Sequence, residues 1–248
     1  MNRPGARILL GAGSISDWLS RPQVPPAHWM SETEQARLAA VTAESRRSQF
    51  VAGRWMARAL LCRWLPGTEP WDWLISGSAD EPPKVSLANA GSLPGVPPHL
   101  SISHSGDRVA CAVSDHAVGV DIEALPPRRV RDLDGLMRGI GSPSELVEWN
   151  STAQGERVTW FHRLWVIKEA WLKARGEGVT PGRLQQLCIR STQPTDEWVA
   201  WCKTSAEDVL ACHASAVALK SLVPPDPRAA GESWWAVDDL AADGGTRT

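Results

Sequence analysis

The most constraining feature of the sequence is a strongly apolar segment that nevertheless carries three charges. Apolar residues cover most of the circumference of a predicted helix over residues 156–175, and a helix that is apolar on all sides is normally buried. Lys168, Glu169 and Lys173 lie inside this segment. An unpaired charge is costly in a dry environment, so these side chains need either water or charged partners from elsewhere in the fold.

Two of these charges are placed to act together. Glu169 and Lys173 are four residues apart and therefore share one face of the helix. Taken alone, the pair is most simply explained as an exposed ion pair that contributes little. A second segment favours another interpretation. Residues 119–123 read as a strand in which Asp121 and Glu123 alternate with apolar residues, so the two carboxylates share one face.

Asp121 and Glu123 have two open interpretations. The first is an edge strand whose polar face meets water. The second is a cation site, because two carboxylates this close repel each other unless a positive charge lies between them. Carboxylate oxygens, completed by water and substrate phosphates, are the ligands that Mg²⁺ prefers. Glu169, from the buried helix, would be a third ligand.

Composition and charge exclude several classes of partner. The 248 residues include 26 basic and 28 acidic side chains, a net charge of -2, which gives no electrostatic reason to expect nucleic acid or an anionic membrane surface. No segment approaches 18 uninterrupted apolar residues, and none resembles a signal peptide. The five cysteines form no CxxC pair, which is typical of reduced thiols in the cytoplasm.

The periodicity of apolar residues predicts an α/β chain with mainly antiparallel strands. A helix is predicted over residues 44–65, and a hairpin over residues 100–113 with its turn at residues 105–107. Shorter strands are predicted at residues 73–75, 85–87, 118–123, 187–189, 198–201 and 209–212. From residue 224 onward the sequence is punctuated by Pro and Gly, which predicts an extended or frayed tail.

Basic residues on the first long helix, together with His104, are candidates for binding phosphate. The helix carries Arg46, Arg47, Arg54, Arg58 and Arg63, a series that is also typical of a solvated helix face. His104 lies between two serines at a strand end, where binding residues gather, although a capping or packing role is equally open. A Ser–His hydrolase is disfavoured because neither serine lies in a GxSxG motif.

Together these segments resemble the 4′-phosphopantetheinyl transferases of the surfactin-synthetase-activating (Sfp) type. Four motifs carry the resemblance, in the family's order over about residues 45 to 190: Phe50-x-x-Gly53-Arg54-x-x-x-Arg58, Ser103-His104-Ser105, Gly119-Val120-Asp121-Ile122-Glu123, and Trp165-x-x-Lys168-Glu169-Ala170-x-x-Lys173. Pro82-Pro83-Lys84 matches the family's Gly-Lys-Pro only loosely.

The resemblance implies a fold and a reaction. Two similar α/β subdomains would form a pseudo-dimer with the active site at their interface: residues 1–117, residues 118–223, and then the tail of residues 224–248. Coenzyme A would be the co-substrate, and its phosphopantetheine arm would pass to a serine of an acyl or peptidyl carrier protein, with release of adenosine 3′,5′-bisphosphate. We expect a cytoplasmic monomer with no nucleic-acid or membrane partner.

The resemblance also implies roles for individual residues. Asp121, Glu123 and Glu169 would bind Mg²⁺, or Mn²⁺ in its place. Glu169 would also be the general base, while Lys173, assisted by Lys168, would neutralise the pyrophosphate. The phosphates of coenzyme A would be bound by five further side chains: Arg54, Arg47, Lys84, Ser103 and His104.

Two other functions fit the same residues. A non-catalytic protein could bind coenzyme A or a carrier protein in the same cleft, but it would not need both the metal ligands and the Glu–Lys pair. A metal-dependent phosphohydrolase would use water in place of the serine, but the sequence has no evident second metal cluster.

Overall fold

The structure is a computed structural model, and it describes residues 6–22, 24–77, 81–88, 93, 95–125, 132–194, 197–222 and 231–243. Within these ranges no helix combines the length and the apolar character needed to cross a membrane.

The first half of the chain builds a three-stranded sheet, a two-stranded sheet and one long helix. Its elements are β1 (Ile8–Ser14), α1 (Ile15–Leu19), α2 (Glu32–Ala40), α3 (Glu44–Trp64), β2 (Trp73–Ser76), β3 (Lys84–Leu87), β4 (His99–Ser105) and β5 (Arg108–Ser114), with short 3-10 helices at Pro26–His28 and Pro70–Asp72. Strands β1, β5 and β4 form an antiparallel sheet in that order, and β2 pairs with β3. The predicted hairpin of β4 and β5 is confirmed.

The second half builds a larger sheet around the apolar helix. Its elements are β6 (Gly119–Ala124), α4 (Leu133–Ile140), α5 (Pro143–Ser151), α6 (Arg157–Arg175), α7 (Pro181–Gln185), β7 (Leu187–Ser191), β8 (Trp198–Thr204), β9 (Asp208–Ser215), α8 (Ala216–Leu222), β10 (Glu232–Asp239) and α9 (Leu240–Asp243). The sheet order is β6-β9-β8-β10-β7, and every pair is antiparallel.

The three-stranded and five-stranded sheets pack against each other, and each carries a helix on its outer face. Residues alternate along a strand, so Ala110 and Ala112 of β5 meet Val120 and Ile122 of β6 in the core between the sheets. The opposite face of β5 packs on α3. The opposite face of the second sheet packs on α6. Because Val120 and Ile122 point into the core between the sheets, Asp121 points the other way, toward α6.

The predicted class, α/β with mainly antiparallel sheets packed with helices, is confirmed. The subdomain boundaries at residues 117 and 118, and the similarity of the two subdomains, stay predictions. The predicted tail is wrong over residues 231–243, because β10 is an inner strand of the second sheet. Trp234 and Trp235 of β10 pack on opposite faces of that sheet. Residues 223–230 and 244–248, which also belong to the predicted tail, lie outside the described residues.

Candidate active site

The helix α6 lies directly on strand β6 because residue 119 has no side chain. A β-carbon at Gly119 would lie 1.8 Å from the carbonyl oxygen of Ala170 and 2.6 Å from the amide nitrogen of Ala174. Only glycine permits such a close approach of two backbones. The contact brings the last turns of α6, with Glu169 and Lys173, beside the carboxylate of Asp121.

A compact charged cluster forms where β6, α6 and β4 meet. The ammonium Nζ of Lys173 donates to Oδ1 of Asp121 at 2.5 Å and to Oγ of Ser103 at 3.2 Å, and it lies 3.4 Å from Oε2 of Glu169. Burial lowers the pKa of Lys173, but the negative charges of Asp121 and Glu169 outweigh that effect and raise the pKa overall. Lys173 therefore stays protonated and holds the two carboxylates together.

The positive charge of Lys173 does not fully offset the effects of burial and of Asp121 on Glu169. Burial and the neighbouring charge of Asp121 raise the pKa of Glu169 to about 7, although Lys173 opposes the shift. A carboxyl group with this pKa can accept or release a proton near neutral pH, as a general base must. A further cation beside it would stabilise the carboxylate form.

Two serines of β4 reach across to the carboxylates of β6. Ser103 Oγ donates to Asp121 Oδ1 at 2.6 Å, and Ser105 Oγ donates to Glu123 Oε2. The second oxygen of Asp121, Oδ2, is buried and has no hydrogen-bond partner. Such an oxygen is costly to leave unpaired, so it suits a ligand that the protein binds.

These oxygens fit a hard divalent cation in chemistry and in charge. In the described part of the chain, no three His, Cys, Asp or Glu side chains already stand close enough to hold a metal ion together. The ammonium of Lys173 takes the position between Asp121 and Glu169. The buried, unpartnered Oδ2 of Asp121 and the raised pKa of Glu169 are both features that a cation would relieve.

A cavity of about 570 Å³ opens beside this cluster, between α3, β4 and the end of α6. Lys173 lines it, so one residue belongs to both the carboxylate cluster and the cavity. The lining residues come from both halves of the chain: Arg37, Gln49, Phe50, Gly53, Arg54, Glu81, Pro82, Pro83, Leu100, Ser101, Ile102, His104, Lys173, Gly176, Glu177, Gly178 and Val179.

The arginines of α3 that the resemblance singles out are buried, so the solvated-face interpretation is wrong for them. Arg58 is fully buried, and its guanidinium makes two bonds to Glu34, at 3.1 and 2.5 Å. Arg54 is 7% exposed and lies 3.6 Å from the same carboxylate. Burial lowers the pKa of Arg54 to about 10, which leaves it charged at neutral pH. Its Nη1 has no hydrogen-bond partner, and its side chain lines the cavity.

His104 also lines the cavity with an unpartnered polar atom. Its Nδ1 is buried and makes no hydrogen bond. Burial lowers the pKa of His104, and the positive charges of Arg46 and Lys173 lower it further. Arg54, His104 and Lys173 therefore present donors from three elements to one space, which suits an anionic ligand such as a phosphate.

Three predicted site residues lie elsewhere. Lys168 is fully buried on another face of α6, where its ammonium bonds the carbonyl oxygens of Ile140 and Leu184 and Oε2 of Glu145. Its Nζ therefore does not join the cluster of Lys173, which corrects the expectation that it assists there. The physical reason is the geometry of the helix. Each residue is rotated by about 100° from the one before it, so Lys168 and Lys173 project from different faces of α6.

The other two predicted site residues that lie elsewhere are Arg47, near the start of α3, and Lys84, in β3. Arg47 donates to the carbonyl oxygens of Leu38 and Val41 and so closes the turn between α2 and α3. Lys84 is exposed at the start of β3 and is not among the cavity residues, although its neighbour Pro83 is. The structure brings neither side chain to the cavity.

Sequence reasoning missed three side chains that support the site. Glu34 holds Arg54 and Arg58, Gln49 lines the cavity, and Glu145 neutralises Lys168. Both glutamates were visible only as the third helical residue after an N-terminal serine, the position of a capping box. Each does cap its helix, but each also binds a buried cation from a distant segment, which no local pattern predicts.

Comparison with known proteins shows a family to which part of this chain is similar. The family model of the 4′-phosphopantetheinyl transferase superfamily matches residues 117–218, which include β6, α6 and β9. Residues 117–218 of this chain are thus similar to this superfamily.

Several curated relatives carry the same description. The 4′-phosphopantetheinyl transferase gsp of Aneurinibacillus migulanus is 39% identical over 82 residues, 33% of this chain and 32% of that protein. HetI of Nostoc sp. is 29% identical over 168 residues, 66% of this chain and 67% of the relative. AcpT of Escherichia coli is 32% identical over 118 residues, 46% of this chain and 57% of the relative. The match with gsp thus spans about a third of that relative's length.

Proposed function

We propose that this protein transfers the 4′-phosphopantetheine arm of coenzyme A to a serine of an acyl or peptidyl carrier protein, in a reaction that depends on Mg²⁺ or Mn²⁺. The observation that carries the proposal is the position of Lys173, which lines the cavity and whose ammonium bonds Asp121. A phosphate in the cavity would thereby lie next to the carboxylate cluster. The names of the relatives support the same activity.

The cavity supplies the binding of coenzyme A. Arg54 Nη1 and His104 Nδ1 are buried without partners, and each charge-assisted bond that they form with a phosphate oxygen would contribute about 1.5–3 kcal/mol. Phe50 lies beside Arg54 at 5.2 Å and offers an apolar wall in the same cavity. Phosphates held by these residues would lie within reach of Lys173.

Asp121, Glu123 and Glu169 would hold the divalent cation. When bound there, Mg²⁺ would neutralise charge on the pyrophosphate of coenzyme A. The remaining work of phosphoryl transfer is mainly positioning and charge stabilisation. Lys173 donates from the cavity side, so it can stabilise the oxygen that leaves with adenosine 3′,5′-bisphosphate.

Glu169 is the general base of this proposal. Its carboxylate would accept the proton of the carrier serine, directly or through water, as the serine oxygen bonds to phosphorus. The bond from that phosphorus to the bridging oxygen of the pyrophosphate breaks, and adenosine 3′,5′-bisphosphate departs. Lys168 acts by holding α6 in place through Glu145 rather than by touching substrate. We expect a cytoplasmic monomer.

The test is to incubate the purified protein with an apo carrier protein, coenzyme A and Mg²⁺, and to measure the intact mass of the carrier. We expect the carrier to gain the mass of the phosphopantetheine arm, with an equal amount of adenosine 3′,5′-bisphosphate released. A carrier whose acceptor serine is replaced by alanine should gain nothing. Carriers from fatty-acid, polyketide and nonribosomal-peptide synthesis should be compared.

Two outcomes would support the other functions. Consumption of coenzyme A without modification of any carrier would indicate a phosphohydrolase. Tight binding of coenzyme A with no consumption, at any Mg²⁺ concentration, would indicate a binding protein. Either result overturns the proposed transfer.

A further inference from the structure

Three serines on one face of β4 bond to successive groups of β6. Ser101 Oγ accepts from the amide of Val120 at 3.0 Å, Ser103 Oγ donates to Asp121 at 2.6 Å, and Ser105 Oγ donates to Glu123. Residues two apart in a strand share a face, so the three hydroxyls form one row. Strands β4 and β6 belong to different sheets, and the row therefore joins the two halves of the chain.

The two carboxylate bonds differ from the backbone bond in their effect. A hydroxyl that donates to one oxygen of a carboxylate restricts the rotation of that side chain. At Asp121 that second oxygen, Oδ2, is buried and has no partner. Groups that bond to metal-binding carboxylates in this way orient them, and their loss typically weakens metal binding 10–100-fold.

We propose that Ser105 is a positioning residue that orients Glu123 for the divalent cation, and that Ser103 does the same for Asp121. The inference rests on the proposed function and deepens it. The cation site then depends on both halves of the chain: the carboxylates come from β6 and α6, whereas the hydroxyls that aim them come from β4. Ser105 touches neither the cation nor the substrate.

Ser101 provides a matched control in the same row. Its hydroxyl joins the same two strands but bonds a backbone amide rather than a carboxylate. Ser101→Ala leaves the buried amide of Val120 without that acceptor, which lowers the stability of the fold. Ser101→Ala therefore tests the joining of the two halves alone, whereas Ser103→Ala and Ser105→Ala also test the orientation of a carboxylate.

The experiment titrates Mn²⁺ into the full-length protein without coenzyme A and follows free Mn²⁺ by electron paramagnetic resonance. We expect Ser105→Ala to raise the Kd for Mn²⁺ by about 10–100-fold. Ser105→Thr keeps the hydroxyl and should restore the wild-type Kd. Ser101→Ala should lower Tm but keep the wild-type Kd, and Ser103→Ala should resemble Ser105→Ala.

The melting temperature of every variant is measured in parallel, so that a loss of fold is recognised. Wild-type Mn²⁺ affinity in a folded Ser105→Ala protein would overturn the inference. So would a wild type that binds no Mn²⁺, or a Ser101→Ala variant that weakens binding as strongly as Ser105→Ala. A wild type that binds Mn²⁺ with the expected serine dependence but modifies no carrier would refute only the proposed transfer.

Discussion

Gly119 lies so close to Ala170 that a β-carbon on the glycine would come within 1.8 Å of the alanine's carbonyl oxygen. The obstacle is helix backbone, which cannot turn aside as a flexible side chain can. This one contact therefore sets the distance between β6 and α6. That distance in turn places Asp121 against Lys173 and Glu169.

Gly119→Ala should push α6 away from β6. Overpacking typically costs about 1–3 kcal/mol of unfolding free energy, and more where backbone is displaced. Carrier modification should fall more steeply than the folded fraction, because Glu169 moves relative to Asp121. Urea unfolding and the carrier mass assay measure the two effects.

Gly139→Ala is the control for that substitution. Nothing lies within 4 Å of a β-carbon at Gly139, a residue of α4, so the change should stabilise the protein by about 0.5–1 kcal/mol. Equal stability of Gly119→Ala and wild type would mean that the helix is free to shift, and that its position is determined elsewhere.

Glu169→Gln should remove the proposed base while keeping the shape of the side chain. We expect the rate of transfer to fall by about 10²–10⁴-fold with the fold intact. Glu156→Gln, at the exposed residue before α6, makes the same chemical change and should leave the rate near that of the wild type. Stopped-flow transfer with saturating coenzyme A is the measurement. A Glu169→Gln protein that transfers at the wild-type rate would contradict the assigned base.

Lys168→Met should damage folding rather than chemistry. The substitution leaves the carboxylate of Glu145, which is 2% exposed, without its cation, and breaking a buried ion pair in this way typically costs about 3–5 kcal/mol. The double variant Lys168→Met/Glu145→Gln removes the stranded charge and should regain part of that loss. Unfolding free energies of the two variants give the comparison.

The opposite result would restore Lys168 to the chemistry. A Lys168→Met protein with wild-type stability and no transfer activity would show that its ammonium acts on the substrate. The expected protein is less stable, but its folded fraction should still modify carriers in a metal-dependent way.

His213 should make the protein less stable in acid. Burial, with a smaller contribution from Arg175, lowers the pKa of His213 to about 4, below the ordinary value of about 6.5. Between these two values the unfolded chain binds a proton that the folded protein does not, so stability falls as pH decreases from 6.5 toward 4. The full effect is of order 3 kcal/mol, and none of it is present above pH 6.5.

The measurement is the difference between wild type and His213→Met in unfolding free energy from pH 7.5 to pH 4. Taking the difference removes the titration of carboxylates common to both proteins. The wild-type curve should fall more steeply below pH 6.5. Parallel curves would show that His213 is protonated without cost, against its burial beneath Trp198.

Truncation after Leu222 should abolish soluble protein. It removes β10, which pairs with β8 through Trp235 and Ala200 and with β7 through Val237 and Ile189, so both neighbours would lose their ladder bonds. Truncation after Asp243 removes no described element and should leave both yield and transfer unchanged. Expression and the carrier assay are the readouts. A soluble, active protein without β10 would mean that β7 and β8 can close the sheet on their own.

Local patterns in the sequence predicted the elements that carry the chemistry. Strand alternation was sufficient to place Asp121 and Glu123 on one face, and helical spacing was sufficient to pair Glu169 with Lys173. The antiparallel class of the sheets is confirmed for the same reason: hairpins and short alternating strands are local features. What local patterns could not provide is the partner of each buried charge.

The errors share one physical cause, which is long-range contact. Arg58 reads as a solvated residue until Glu34, 24 positions away, is placed against it. Residues 232–239 read as a polar tail because their side chains are mostly only half-buried, so the apolar alternation is weak. The position of residues 232–239 is determined by hydrogen bonds to β8 on one side and β7 on the other.

The position of β10 has a consequence for how the protein is made. The last strand among the described residues, Glu232–Asp239, enters the sheet between β8 and β7 rather than at its edge. The second half therefore cannot finish folding until Glu232–Asp239 has left the ribosome, although domains often fold during synthesis. A nascent chain that stalls before Glu232 already contains Asp121, Glu123 and Glu169. It still lacks β10, the strand that connects β8 to β7 and completes the sheet on which α6 packs.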